Sequence, residues 1–349
     1  MLPEARQAFE HALECERRGD TAAALASYLD ALDHAPDDLE IAFRTATTLL
    51  REGYLEEAAS QLRRIVFVDP DHVPARANLG NCQLLSGDLE NAEMNFRSVL
   101  EASPDNRNAL FGLASVCLKQ GKYDAAREPA ERLMQLLPDN APVLTLFAQA
   151  CSRDPQSSRA AAAFRQALAI DPAYLPAITG LAELSIKRKK FDDAVRYSDT
   201  GLNLEPSNVE LIRFKAIALE GLGRFAEARG VLEKALSFAP ANIRGSVLVT
   251  LSALCRKMDE PKTALIHAEQ AWSRDLASKD FGNAVGACLK ALGLANEARI
   301  VLTAVARHET IPAAIVEKVQ SLALDYRKAP LKSPEETVEV PDDDLESDG

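Results

Sequence analysis

Residues 73–106 read VPARANLGNCQLLSGDLENAEMNFRSVLEASPDN, and the pattern of this stretch recurs at a constant interval along the chain. Its proline belongs to a set of seven, each 34 residues after the last: Pro36, Pro70, Pro104, Pro138, Pro172, Pro206 and Pro240. Prolines at a constant interval are typical of an array in which one structural unit is repeated and stacked on the next. The chain is therefore predicted to be a repeat protein.

Small residues recur at two positions inside each interval. Twelve residues before each proline stands an alanine, in the order Ala24, Ala58, Ala92, Ala126, Ala160, Ala194 and Ala228. Twelve residues earlier stands a second small residue, in the order Ala12, Ala46, Gly80, Ala114, Ala148, Ala182 and Ala216. Because small side chains let two helices cross closely, each unit is predicted to contain two helices packed against each other.

Glycine, proline and asparagine or aspartate divide the unit. A glycine lies between the two predicted helices in five units: Gly19, Gly53, Gly87, Gly121 and Gly223. Glycine accepts the left-handed backbone that ends many helices, and proline stops the second helix. Two residues after the proline comes a side chain that can cap the next helix, namely Asp38, Asn106, Asn140, Asn208 and Asn242.

These residues resemble the tetratricopeptide repeat (TPR) family. That family has units of 34 residues, with small side chains at positions 8 and 20, glycine at position 15 and proline at position 32. Gly80, Gly87, Ala92 and Pro104 stand at these four positions in the quoted unit. The resemblance implies an all-α, right-handed superhelical α-solenoid of about nine helix–turn–helix units with a C-terminal capping helix.

The sequence divides into four predicted segments. Residues 3–240 hold seven regular units, and residues 241–310 hold two irregular ones, in which Ala264 and Ala298 are 34 residues apart and Gly293 supplies a turn. Residues 311–328 place Ile315, Val319 and other apolar side chains at helical spacing, which predicts the capping helix. Residues 329–349 contain eight acidic residues and one lysine, a composition that predicts a disordered tail.

Composition argues against several function classes. The net charge is −12, and the one basic run, residues 187–190, is explained by the end of a helix, so nucleic-acid binding is not expected. No phosphate loop, nucleophile elbow or metal-ligand spacing occurs, so we expect neither catalysis nor a cofactor or metal. No apolar run is long enough to span a membrane, and no secretory signal is evident, which favours the cytoplasm. The six cysteines are interpreted as buried, reduced side chains.

The TPR resemblance directs attention to the concave groove lined by the first helix of each unit. At the groove positions of units 1–6 the sequence combines apolar side chains, amides and a series of cations. The predicted partner-binding residues are Phe9, Arg17, Phe43, Leu50, Arg51, Asn81, Leu84, Leu85, Phe111, Leu118, Lys119, Gln149, Arg153 and Lys187. Two alternatives stay open: the cations also suit helix C-termini, and a small rotation of the first helices would bury the phenylalanines.

We therefore predict a non-enzymatic scaffold or adaptor whose groove binds a protein or peptide with apolar and acidic anchors. The alternative is an assembly or secretion chaperone that shields an apolar segment of a client protein. The carboxylate clamp of co-chaperone TPR proteins is not expected, because no three successive units carry its residues at positions 5 and 9. Self-association is possible, and the acidic tail is a candidate ligand for the chain's own groove, or only a solubilising segment.

Overall fold

The computed structural model describes residues 2–154 and 158–328, and these residues form nineteen α-helices and no strand. The helices are α1 (Pro3–Arg17), α2 (Thr21–His34), α3 (Leu39–Glu52), α4 (Leu55–Val68), α5 (Val73–Ser86), α6 (Leu89–Ala102), α7 (Arg107–Lys119), α8 (Tyr123–Leu136), α9 (Ala141–Ala150), α10 (Ser158–Ile170), α11 (Leu175–Lys187), α12 (Phe191–Leu204), α13 (Val209–Gly221), α14 (Phe225–Leu236), α15 (Ala241–Lys257), α16 (Pro261–Trp272), α17 (Lys279–Ala291), α18 (Ala295–Arg307) and α19 (Ala313–Lys328). The predicted all-α fold is confirmed.

The chain forms two compact units, one ending at Arg188 and the other beginning at Lys189. The first unit contains α1–α11 and the second α12–α19. Within each unit, consecutive helices up to α18 pack together as hairpins, and each hairpin packs on the next, as in an α-solenoid. The predicted segment boundaries at residues 240, 310 and 328 stay predictions, and the acidic segment 329–349 lies outside the described residues.

The turn glycines adopt the predicted left-handed backbone. All five have a φ between +72° and +87°, and Gly293 has a φ of +78°. In two other turns the same place is taken by a side-chain-bearing residue, Lys189 with φ +56° and Asp259 with φ +59°. The turn geometry is therefore kept where the glycine is missing, although that backbone is strained for other residues.

The small residues lie where paired helices cross. The alanines of the two repeating series are all at most 2% exposed. The ring of Phe96 shows how close the packing is. A Cβ added to Gly112 would stand 2.2 Å from Cζ of this ring, and a Cβ added to Gly80 would stand 2.9 Å from its Cε1. The aromatic ring thus occupies the volume that two missing side chains leave open.

Four of the five predicted helix caps are present. The side chains of Asp38, Asn106, Asn140 and Asn208 each accept a hydrogen bond from a backbone N–H of the first helical turn. The prediction for Asn242 is wrong, because α15 begins at Ala241 and Asn242 lies inside its first turn. Caps outside the predicted set include Asp20, Asp88 and the ring of His72, which stands at the interval position two residues after Pro70.

The first helices of successive hairpins form an inner row in the first unit. α3 contacts α5, α5 contacts α7, α7 contacts α9 and α9 contacts α11, whereas the second helices of successive hairpins make at most marginal contact with each other in the described residues. Helices on the inner side of a curved stack lie closer together than those on the outer side. The surface of this inner row is therefore the concave face of the first unit.

Helix α19 packs against α16 in the second unit. Val319 and Ala323 are its buried residues, and Val319 joins a core cluster with Trp272 and Val301. Arg327 pairs with the largely buried Glu269 of α16, and Lys318 pairs with Glu297 of α18. The predicted C-terminal helix thus exists and covers apolar side chains of the last hairpins.

Candidate protein-binding groove

All fourteen residues predicted for the groove lie in the first unit. Thirteen of them stand on α1, α3, α5, α7, α9 and α11, which are first helices, and Arg153 stands in the turn that follows α9. The described side chains differ widely in exposure. Their surroundings separate those that can meet a partner from those that serve the fold.

Two of the three predicted aromatic anchors are engaged within the fold. The Phe9 ring lies 5.8 Å from the ring of Tyr28, and the Phe43 ring lies 5.1 Å from that of His72. Both are half-buried and pack against the core of the first hairpins. Phe111 differs, because 40% of its surface is exposed. Only Phe111 is therefore available as an exposed aromatic anchor among the three.

Among the predicted groove residues, the exposed apolar side chains lie on α5 and α7. Leu85 is 64% exposed and stands near the end of α5, while Leu84 and Leu118 are half-buried on the same two helices. The amide of Asn81 donates a hydrogen bond to the side-chain oxygen of Asn108, at 3.2 Å, and so links α5 to α7. Exposed apolar side chains beside a polar, fixed amide are the elements that a peptide anchor needs.

Most of the predicted cation series is paired with carboxylates of the chain. Arg17 lies 3.0 Å from Glu14, Arg51 lies 3.3 Å from Glu16, and Lys187 lies 2.7 Å from Glu183. Arg153 pairs with Asp124. Lys119 has no ion pair or side-chain hydrogen bond within residues 2–154 and 158–328. It is thus the cation of the series best placed to receive an acidic group from outside.

Arg51 contributes to the stability of the fold as well as to the groove surface, because it pairs with Glu16. The Glu16 carboxylate accepts a hydrogen bond from the Tyr28 hydroxyl at 2.8 Å as well as one from Arg51. The hydrogen bond from Tyr28, together with the Arg51 guanidinium, holds the pKa of Glu16 below its ordinary value. Burial and the same bond raise the pKa of Tyr28. The three side chains join α1, α2 and α3.

The six cysteines are free and buried, which confirms their interpretation as core residues. Burial raises the pKa of the Cys82 thiol to about 11, so its nucleophilic thiolate is scarce at neutral pH. Within the part of the chain that the structure describes, no cluster of three metal-ligating side chains occurs, and no helix combines the length and apolar character that crossing a membrane requires.

Sequence reasoning missed the carboxylates that form ion pairs with the groove cations. Glu14 and Glu183 stand three and four residues before Arg17 and Lys187, a spacing that places both members of a pair on one helix face. That signal was available in the sequence. Glu16 lies on a different helix from Arg51, and Asp124 lies on α8 while Arg153 lies in the turn after α9, so only the packing of the hairpins brings each pair together.

Comparison with known families agrees with the geometry. Two family models, both described as tetratricopeptide repeat, match the chain, one at residues 83–150 and 156–208 and the other at residues 9–70 and 43–94. Together the matched residues make up more than half of the chain. A search of curated proteins finds no significant match.

Solved structures with the same kind of fold are distant in sequence. The chain is similar to the APC/C hetero-tetramer Cut9–Hcn1, at 14% identity and a TM-score of 0.58, over 77% of this chain and 52% of that one. It is also similar to MamA 41-end from Desulfovibrio magneticus RS-1, at 18% identity and a TM-score of 0.46, over 50% and 98% of the two chains. A third similar structure is YrrB, described as a TPR protein with an unusual peptide-binding site, at 17% identity and a TM-score of 0.45, over 53% and 95%.

Proposed function

This chain belongs to the tetratricopeptide repeat family, and we propose that the concave face of its first unit binds an extended or helical segment of a partner protein. The observation that carries the proposal is the patch formed by Leu85, Phe111 and Lys119. Two exposed apolar side chains and a cation that has no ion pair in the described residues stand on α5 and α7, adjacent helices of the inner row. We call these three residues the α5–α7 patch.

The partner segment is expected to carry apolar anchors with at least one acidic residue. Leu85 and Phe111 would lose water-exposed apolar surface on binding, which is worth about 25 cal/mol for each Å² that is buried. Lys119 would meet the acidic group, and its charge would select against a basic segment. Arg51 and Arg153 contribute less than the sequence suggests, because each is already paired.

The test compares variants of the patch with matched changes on the outer helices. Phe111→Glu and Lys119→Glu each alter one member of the α5–α7 patch. Their controls are Phe67→Glu and Arg63→Glu on α4, since Phe67 is 86% exposed and Arg63 is exposed with no ion pair in the described residues. The four tagged variants and the wild type are compared by affinity purification with quantitative mass spectrometry.

A partner that binds through the patch is expected to be lost from both patch variants and kept by both controls. Its affinity, measured by calorimetry with purified protein, should fall about tenfold or more for Phe111→Glu, as for other interface anchors. If every partner binds the patch variants as well as the wild type, the groove assignment is wrong. Phe43→Glu is a poorer probe, because Phe43 packs on the core.

The alternative is a chaperone that shields an apolar segment of a client, and the exposed Leu85 and Phe111 would also suit that role. The two functions differ in stoichiometry and in the fate of the partner. A single client that binds one-to-one and aggregates without this protein favours the chaperone. Two partners bound at the same time favour the scaffold, and size-exclusion chromatography with light scattering separates these outcomes.

A further inference from the structure

A second candidate site lies in the second unit and shares no residue with the proposed groove. It is an open cavity of about 500 Å³ lined by Leu236, Arg244, Leu248, Glu269, Gln270, Ser273, Arg274 and Arg327. These residues come from α14, α15, α16, the turn after α16, and α19. We call it the arginine cavity, since three guanidinium groups and one carboxylate line it.

The three arginines of the cavity are held in different ways. Arg327 pairs with Glu269, and Arg244 donates a hydrogen bond to the backbone oxygen of Leu236. These contacts fix two guanidinium groups while leaving their other N–H donors for a ligand. Arg274 is exposed and has no ion pair or side-chain hydrogen bond in the described residues. The lining therefore has an excess of positive charge, with Leu236 and Leu248 as apolar neighbours.

Charge is distributed unequally along the chain. Residues 1–188 contain 19 Lys and Arg against 27 Asp and Glu, a net charge of −8. Residues 189–328 contain 20 Lys and Arg against 17 Asp and Glu, a net charge of +3. Residues 329–349 contain one Lys against eight Asp and Glu, a net charge of −7. An acidic segment is thus attracted by the second unit and repelled by the first.

The acidic segment is joined covalently to a residue next to one that lines the cavity. Arg327, which lines the cavity, is two residues from the start of segment 329–349. A segment tethered so closely reaches an effective concentration on the order of millimolar, so even a weak carboxylate–guanidinium contact is populated. The segment also offers Leu331, Val338 and Leu345 as apolar partners between its acidic residues.

We propose that residues 329–349 bind to the arginine cavity of their own chain through carboxylates that meet Arg274 and Arg244. The groove of the first unit is a weaker destination for this segment. Four of its five cations already have carboxylate partners, and its unit is negatively charged, whereas the second unit is positively charged. Docking at the cavity would keep the acidic segment away from the groove instead of blocking it.

The test uses the full chain with a fluorescent label at the end of the acidic segment. The variant Ser347→Cys places a reactive thiol there, and the six native cysteines are buried, so a maleimide dye reacts with the introduced one. Steady-state anisotropy of the dye reports whether the segment is held. We expect a high anisotropy at low ionic strength that falls to the value of the free labelled peptide in about 0.5 M salt, where screening lengths shrink to a few Å.

Matched charge reversals then locate the contact. Arg274→Glu is expected to lower the anisotropy to the high-salt value. Arg299→Glu is expected to leave it unchanged, since Arg299 is an exposed arginine of α18 with no ion pair among the described residues. Replacing Asp342, Asp343 and Asp344 by asparagine should act like Arg274→Glu without touching the folded unit. Circular dichroism verifies the helix content of each variant.

Three results would overturn the proposal. The first is a wild-type anisotropy already equal to that of the free peptide. The second is an anisotropy that Arg274→Glu leaves unchanged. The third is an equal decrease with Arg299→Glu, because a contact that any cation of the unit can provide does not require the arginine cavity.

Discussion

At the residue scale, the turns between paired helices depend on a left-handed backbone more than on glycine itself. Asp259 holds a φ of +59° between α15 and α16, in the place where other turns have glycine. For a residue with a Cβ this backbone costs roughly 1–2 kcal/mol, and glycine is free of that cost. The turn at Asp259 is thus a place where stability can be gained.

We expect Asp259→Gly to stabilise the protein by about 1 kcal/mol, because it relieves the strain of the left-handed backbone. The reverse change, Gly87→Ala at φ +87°, should destabilise by a similar amount. Thermal unfolding followed by circular dichroism measures both. A lower midpoint for Asp259→Gly would show that the aspartate side chain contributes more than its backbone costs.

A second residue-scale prediction concerns the ring of Phe96. Gly112→Ala would place a Cβ 2.2 Å from Cζ of this ring, so the helices must move apart, at a cost of about 1–3 kcal/mol or more. Gly230→Ala is the control, since nothing lies within 4 Å of its added Cβ and the change favours helix α14 by about 1 kcal/mol. Urea denaturation should move the two variants in opposite directions.

At the scale of elements, the first hairpin is tied to the next by the Glu16 carboxylate, which accepts hydrogen bonds from Tyr28 of α2 and Arg51 of α3. Because these bonds lower the pKa of Glu16 in the folded state, its contribution to stability is present above its unfolded pKa and is lost as the pH falls through the folded pKa. The network therefore acts as a pH-dependent link between neighbouring helices.

Glu16→Gln is expected to lower the free energy of unfolding by about 1–3 kcal/mol at pH 7, because Tyr28 and Arg51 lose a charged acceptor. The difference from the wild type should shrink as the pH falls through the lowered folded-state pKa of Glu16, where the wild-type carboxylate becomes protonated. Glu10→Gln is the control, since Glu10 belongs to an exposed pair with Arg6 and should change little at either pH. A pH-independent difference would contradict the assigned role of the charge.

At the scale of the whole molecule, stability is expected to be local, because each hairpin of a solenoid contacts only its neighbours. The overpacked variant Gly112→Ala tests this in the first unit. Hydrogen exchange followed by mass spectrometry should show the largest increase in α5–α9, which surround Phe96 and α7, and a smaller one in α1 and α2. A uniform increase over α1–α10 would instead indicate a single cooperative core.

The sequence by itself determined the repeat and its helices. The 34-residue interval of proline, the small crossing residues and the turn glycines act through local backbone preferences, so helix pairs could be predicted without a structure. Asn242 shows the limit of that reasoning, because the less regular α15 begins one residue after Pro240 and takes the predicted cap into its first turn.

Only the tertiary structure decided which groove side chains are free. Phe43 and Phe111 hold equivalent repeat positions, yet Phe43 packs on His72 of the next hairpin while Phe111 is exposed. Arg51 and Lys119 also hold equivalent repeat positions. Of these two, only Arg51 forms an ion pair in the described residues, with Glu16 of α1. A repeat fixes where a side chain stands on its own helix, but its exposure and charge balance depend on what the neighbouring hairpin places beside it.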